Sequence, residues 1–116
     1  MVYALVVEDD KDTARLFVQA LESLRIECEI AWNGEQAIDI LRDFSPDLVL
    51  VDMNLPRHNG VEIVEFIRRE SHLKDITVIV TSGDAEKSKA VEDLVEFVLL
   101  KPISVPQLVT IVRRLF

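Results

Sequence analysis

The run Leu48-Val49-Leu50-Val51 constrains this chain more than any other feature. Four consecutive apolar residues with no polar alternation suit a strand covered on both faces, which belongs in the interior of a parallel sheet. The sequence on either side has the rhythm such a sheet needs. Strand-like and helix-like segments alternate five times.

Val2 to Val7 reads as a short strand, and Thr13 to Leu24 as an amphipathic helix with Leu16, Phe17, Ala20, Leu21 and Leu24 on its inner face. Ile26 to Ala31 is the second strand. Asn33-Gly34 breaks it before a helix carrying Ala37, Ile38 and Leu41 inward. Ser45-Pro46-Asp47 introduces the Leu48–Val51 run, expected to be the central strand, and a loop from Asn54 to Asn59 leads through Gly60 into a helix with Ile63, Val64, Phe66 and Ile67 for packing.

Ile76 to Val80 is a fourth strand, Thr81-Ser82-Gly83-Asp84 a loop, and Ala85 to Leu94 a short helix with a weaker apolar face. Phe97 to Leu100 is the fifth strand. Lys101-Pro102 ends it, and Val105 to Leu115 is the last helix, with Pro106 tolerated in its first turn. Short connections between alternating strands and helices imply an α/β domain, doubly wound, with helices on both faces of a parallel sheet.

The length, 116 residues, fits one domain spanning 1–116, able to bury roughly two-thirds of its unfolded surface. A formal net charge of −8 argues against a nucleic-acid surface, since duplex binding draws on cations that neutralise phosphates. Cys28 is the only cysteine, so no internal disulfide forms; flanked by Glu27 and Glu29, it reads as a small buried hydrophobe rather than a reactive thiol. Met1-Val2-Tyr3 runs directly into a strand and no apolar run approaches a membrane span, so a cytoplasmic protein with no membrane partner is expected. Trp32 and Tyr3 read as packing residues.

In a doubly wound sheet the ligand site lies beyond the carboxyl ends of the strands. The first strand is followed there by Glu8-Asp9-Asp10, the third by Asp52, the fourth by Thr81-Ser82 and the fifth by Lys101-Pro102. Carboxylates, hydroxyls and an ammonium at one sheet edge suit magnesium, which prefers oxygen ligands, together with a phosphoryl group held by cations and donors. Asp52 is the candidate nucleophile for an aspartyl phosphate, with Glu8, Asp9 and Asp52 as metal carboxylates and Thr81 and Lys101 on the phosphoryl oxygens. Asp10 or Asp12 is suited to cap the first helix, and capping is the favoured role for Asp10. His58 lacks a second histidine or cysteine at ligand spacing and reads as surface.

Val6-Val7-Glu8-Asp9-Asp10, Pro46-Asp47-Leu48-Val49-Leu50-Val51-Asp52-Met53-Asn54-Leu55-Pro56 with Gly60 behind it, Ile79-Val80-Thr81-Ser82-Gly83 and Leu100-Lys101-Pro102 together resemble the response-regulator receiver domain of two-component signalling. The resemblance spans the chain. It implies a flavodoxin-like (βα)5 domain with strand order 2-1-3-4-5, in which Asp52 is phosphorylated, Asp9 contacts Mg2+ directly, Glu8 holds it through water, and the Asn54 backbone carbonyl completes the protein ligands. Thr81 and Lys101 would bind phosphoryl oxygens, and movement of the Thr81 hydroxyl would begin the switch.

The implied partners are a sensor histidine kinase or histidine phosphotransfer protein and a downstream effector or covalently linked output domain, with a homodimer as a further candidate. No independent substrate is implied beyond self-catalysed phosphotransfer and autodephosphorylation. The chain departs from the family at Val98, where the usual residue three positions before the lysine is aromatic; the interval from Thr81 to Lys101 is also short, so a fourth helix that is trimmed or poorly ordered is expected. Two other readings compete. A phosphorylation-independent interaction module of the same fold is one. A hydrolase of the haloacid-dehalogenase class is the other, but it wants an acid two residues after the nucleophile, where this chain has Asn54.

Overall fold

The computed structural model describes residues 1–56 and 59–116; His58, expected to be a surface residue, lies outside the described residues. Five strands, β1 Val2–Val7, β2 Ile26–Ala31, β3 Leu48–Asp52, β4 Thr77–Ser82 and β5 Phe97–Leu100, alternate with α1 Lys11–Glu22, α2 Gly34–Asp43, α3 Gly60–Arg69, α4 Ala85–Ser88 and α5 Val105–Leu115. A turn of 3-10 helix, Glu92–Leu94, stands between α4 and β5. All strand pairs are parallel and the order is β2-β1-β3-β4-β5, so the Leu48–Val51 run is central as expected.

Every residue of β3 is buried, which is what its unbroken apolar sequence demands. Successive side chains go to opposite faces. Val49 and Val51 pack with Leu41 of α2 and with Ile63, Val64 and Ile67 of α3, while Leu48 and Leu50 pack with Phe17 and Leu21 of α1 and with Leu108 and Val112 of α5. Two hydrophobic layers thus clamp one sheet.

Several element ends differ from the sequence reading, each for a local reason. The first helix begins at Lys11 because Asp10 caps it, its carboxylate accepting from the Thr13 amide at 2.9 Å and the Thr13 hydroxyl at 2.6 Å. Thr81 and Ser82 are the last residues of β4, not loop residues, because they pair with Leu99 and Leu100 of β5. The helix read over Ala85–Leu94 is reduced to four residues and a separate 3-10 turn, the trimmed form of the two outcomes expected from the short Thr81–Lys101 interval. Only Ser88 and Val91 are buried between Gly83 and Asp93, too small an apolar face to hold a longer helix on the sheet.

Tyr3 and Trp32 are less committed to packing than expected, with 40% and 37% of their surfaces exposed; the Tyr3 ring meets Phe44 edge-on at 6.2 Å between centroids. Cys28 is half-buried, and burial, then the nearby Glu22 carboxylate, pushes its thiol up to about 11, in keeping with an unreactive side chain. Among the described residues no helix is long and apolar enough to cross a membrane.

Candidate functional site

Each candidate residue is delivered by the end of a strand. The Glu8 amide donates to the Ala31 carbonyl at 3.0 Å, which extends β1 by one residue and turns the Glu8 side chain inward until only 1% of the residue is exposed. Its Oε2 accepts from the Asp10 amide at 3.1 Å. Asp52 closes β3 with 3% exposed, its Oδ1 accepting from the Asn54 amide and its Oδ2 from the Lys101 ammonium, both at 3.0 Å. The Lys101 amide donates to the Ser82 carbonyl at 2.7 Å, fixing the residue just beyond β5 beside β4; the Lys101–Pro102 peptide is cis.

Electrostatics ties these groups together. Lys101 Nζ lies 3.0 Å from Asp52 Oδ2 and 3.5 Å from Glu8 Oε1, so one ammonium serves two buried carboxylates. Burial works against that ammonium, but Asp52 and Glu8 outweigh it and hold the Lys101 pKa above the ordinary lysine value. Glu8 goes the other way. Burial pushes its carboxyl up to about 7, with the Asp52 charge adding, while the Asp10 amide and Lys101 oppose.

Glu8, Asp9 and Asp52 each offer a carboxylate oxygen within 4.8 Å of the others. Asp9 is the exposed member, open to solvent between two buried acids. Among the described residues Glu8 Oε1 is buried yet accepts no hydrogen bond, and of the three clustered carboxylates those of Glu8 and Asp52 pair with the Lys101 ammonium. Both facts fit a divalent cation with oxygen ligands. The Thr81 hydroxyl is also buried and without a hydrogen-bond partner among the described residues; Thr81 sits directly across the β3–β4 ladder from Asp52.

The loop after Asp52 is tightly held. The Met53 amide donates to the Thr81 carbonyl at 2.9 Å, and the Gly60 amide donates to the Met53 carbonyl at 3.2 Å. A Cβ on Gly60 would come within 2.8 Å of Met53 Cα and 2.9 Å of the Asp52 carbonyl oxygen. Glycine is needed there for close approach, and the start of α3 is thereby drawn against the end of β3.

The fold therefore brings Glu8, Asp52 and Lys101 into contact, with Asp9 and Thr81 beside them; Asp10 stands apart as the α1 cap. Sequence reasoning missed two other polar residues, Arg68 of α3 and Glu96 before β5, whose side chains pair at 2.9 Å at the opposite edge of the sheet. An arginine in the last turn of a helix reads as a complement to the helix dipole. Nothing local in the sequence marks this one as different.

Residues 4–113 match the family model described as the response regulator receiver domain. The polar-differentiation response regulator DivK of Brucella anthropi is 31% identical over 114 residues, covering 94% of this chain and 91% of that protein. DivK of Brucella ovis is 30% identical over the same length. Among solved structures, a CheY-like receiver domain from Methylobacillus flagellatus superposes with a TM-score of 0.89 at 28% identity, covering 100% of this chain and 99% of that one. The chemotaxis response regulator CheY4 of Vibrio cholerae reaches a TM-score of 0.92 at 23% identity, over 100% and 99% of the two chains, and supports the fold alone.

Proposed function

The chain belongs to the response regulator receiver domain family of two-component signalling, and from that premise we propose that it is a phosphoryl-accepting switch in which Asp52 takes the group from a histidine kinase or histidine phosphotransfer protein. The observation that carries this reading is the Thr81 hydroxyl, buried opposite Asp52 with no hydrogen-bond partner among the described residues. A buried hydroxyl left unpaired costs about 1–3 kcal/mol. A phosphoryl oxygen on Asp52 would accept from it and recover that cost.

An Asp52 carboxylate oxygen attacks the phosphorus in line, the bond from phosphorus to the donor's imidazole nitrogen breaks, and the imidazole keeps the electron pair. The Lys101 ammonium, now on Asp52 Oδ2, is within reach of a phosphoryl oxygen and can follow the negative charge as it moves outward. Thr81 donates to a second oxygen. Asp9 would hold magnesium directly, Glu8 through water, and Asp52 and the Asn54 backbone carbonyl would complete the protein ligands. Bound there, the ion supplies positive charge to the carboxylates and to the developing phosphoryl charge.

Residues 1–116 act on this reading as one receiver unit without an independent substrate, and its outputs are an effector protein, a linked output domain or a second copy. Asn54, where a dehalogenase-type hydrolase needs an acid, cannot serve as a general acid or base for turnover. The reading is tested by incubating the protein with acetyl phosphate and following the phosphorylated fraction on a phosphate-affinity gel. Modification should require magnesium, stop on chelation, and slow by about 10-fold or more in Thr81→Ala. Modification of equal extent in excess chelator would count against it.

A further inference from the structure

Arg68 makes the most heavily bonded side-chain joint among the described residues, and it lies far from the phosphoryl site. Its Nε donates to the Leu94 carbonyl at 2.7 Å, one terminal nitrogen donates to the Lys74 and Ile76 carbonyls, both at 2.8 Å, and the other donates to Glu96 Oε1 at 2.9 Å and Oε2 at 3.3 Å. All three nitrogens of the guanidinium donate, and the planar fork reaches three backbone carbonyls and one carboxylate at once. Glu96 then brackets β4: its Oε1 accepts from the Val78 amide at 2.6 Å, and its own amide donates to the Val78 carbonyl at 2.9 Å. One side chain on α3 thus ties together the approach to β4, the end of the 3-10 turn and the approach to β5.

The chain just before this joint is held quite differently. Between Gly83 and Asp93 the hydrogen bonds of the described residues are all local: Ser82 Oγ donates to the Asp84 carbonyl and accepts from its amide, the Asp84 carboxylate caps Glu86, and Ser88 Oγ donates to the Ala85 carbonyl. The Lys89–Glu86 ion pair is local and solvent-exposed as well. Only Ser88 and Val91 are buried, and α4 has four residues, too few to be stable by itself. The segment begins two residues after Thr81, the residue expected to move.

Resting on the receiver reading above, we infer that Arg68 is a positioning residue which ends the switch segment: phosphorylation of Asp52 rearranges residues 83–93, while the Arg68–Glu96 joint holds residues 94–100 still. Val98 agrees with this division, since it has no ring to carry a rotamer change into β5. Partner recognition of the phosphorylated state then falls on the short Gly83–Asp93 segment rather than on the β5 edge. Lysine cannot replace the arginine, because it offers three donors from one point in place of a planar fork.

Amide hydrogen exchange, resolved by residue, tests this on the whole chain with magnesium, with and without acetyl phosphate, intact mass confirming the adduct in each sample. In the wild type the phosphoryl-dependent change should fall within residues 81–93 and leave 94–100 unaltered. In Arg68→Ala, and in the milder Arg68→Lys, the adduct should still form, but the change should spread into β5, with exchange at Val98 and Leu100 about 10-fold faster. A wild-type response as large in 94–100 as in 83–93 would overturn the inference and leave the receiver reading intact, as would both variants responding like the wild type. Absence of an adduct in the wild type would overturn the receiver reading, and this inference with it.

Discussion

The three acids at the end of β1 show how one residue's step along a chain changes its chemistry. Glu8 is turned inward by continuing the strand, Asp9 faces solvent beside it, and Asp10 is taken up by the α1 cap. Asp9→Asn should therefore weaken magnesium affinity markedly, whereas Asp10→Ala should lower the melting temperature and leave magnesium affinity unchanged; equal loss of affinity in both would show the acids misassigned. The cap has a pH signature. Hydrogen bonds from the Thr13 hydroxyl and amide hold the Asp10 carboxyl below its ordinary value of 3.8, so its contribution is present above that pH and is lost as pH falls through the lower folded value. The stability gap between wild type and Asp10→Ala should accordingly shrink on acidification, as thermal melts at pH 7 and pH 3 would read. Glu8, Asp52, Thr81 and Lys101 were legible in the sequence because each follows a strand pattern in a fold whose ligand edge is fixed by topology. Arg68 was not, because its acceptors are backbone carbonyls brought together only by the tertiary fold.

Among the elements, β3 and α3 were the easiest to read and α4 the hardest. An unbroken apolar run has few alternatives to a buried parallel strand, and β3 is buried along its whole length. The Ala85–Leu94 stretch has helix-forming residues but little to bury, and propensity without an apolar face gave one short helix and a 3-10 turn. Thr81 and Ser82 belong to β4 because pairing with β5 overrides their turn-forming character. The β3–α3 junction makes a sharper claim. Because a Cβ at residue 60 would press on the Met53 and Asp52 backbone, Gly60→Ala should destabilise the protein by about 1–3 kcal/mol in urea unfolding and also slow phosphorylation, since the strained loop carries Asp52 and Asn54. An alanine variant as stable and as fast as wild type would show that the loop relaxes freely.

For the molecule as a whole, the sheet order β2-β1-β3-β4-β5 converts four sequence-distant strand ends into one acidic pocket in which, among the described residues, Lys101 is the cation that pairs with the carboxylates. The net charge of −8 bears on that pocket only where burial concentrates it; elsewhere it lies on solvated surfaces. Layering and parallel topology were legible from alternation and periodicity, and the strand order from the family resemblance. The division between a loosely held Gly83–Asp93 segment and a β5 approach fixed by Arg68 was not, since it depends on which carbonyls meet in space. The proposed function turns on Asp52 as the phosphoryl acceptor. The most direct measurement is borohydride reduction of the protein after treatment with acetyl phosphate and magnesium, which converts an aspartyl phosphate to homoserine, followed by peptide mass mapping. Homoserine at position 52 alone, and none in Asp52→Asn, is the expected result; homoserine at another acid, or at none, would contradict it.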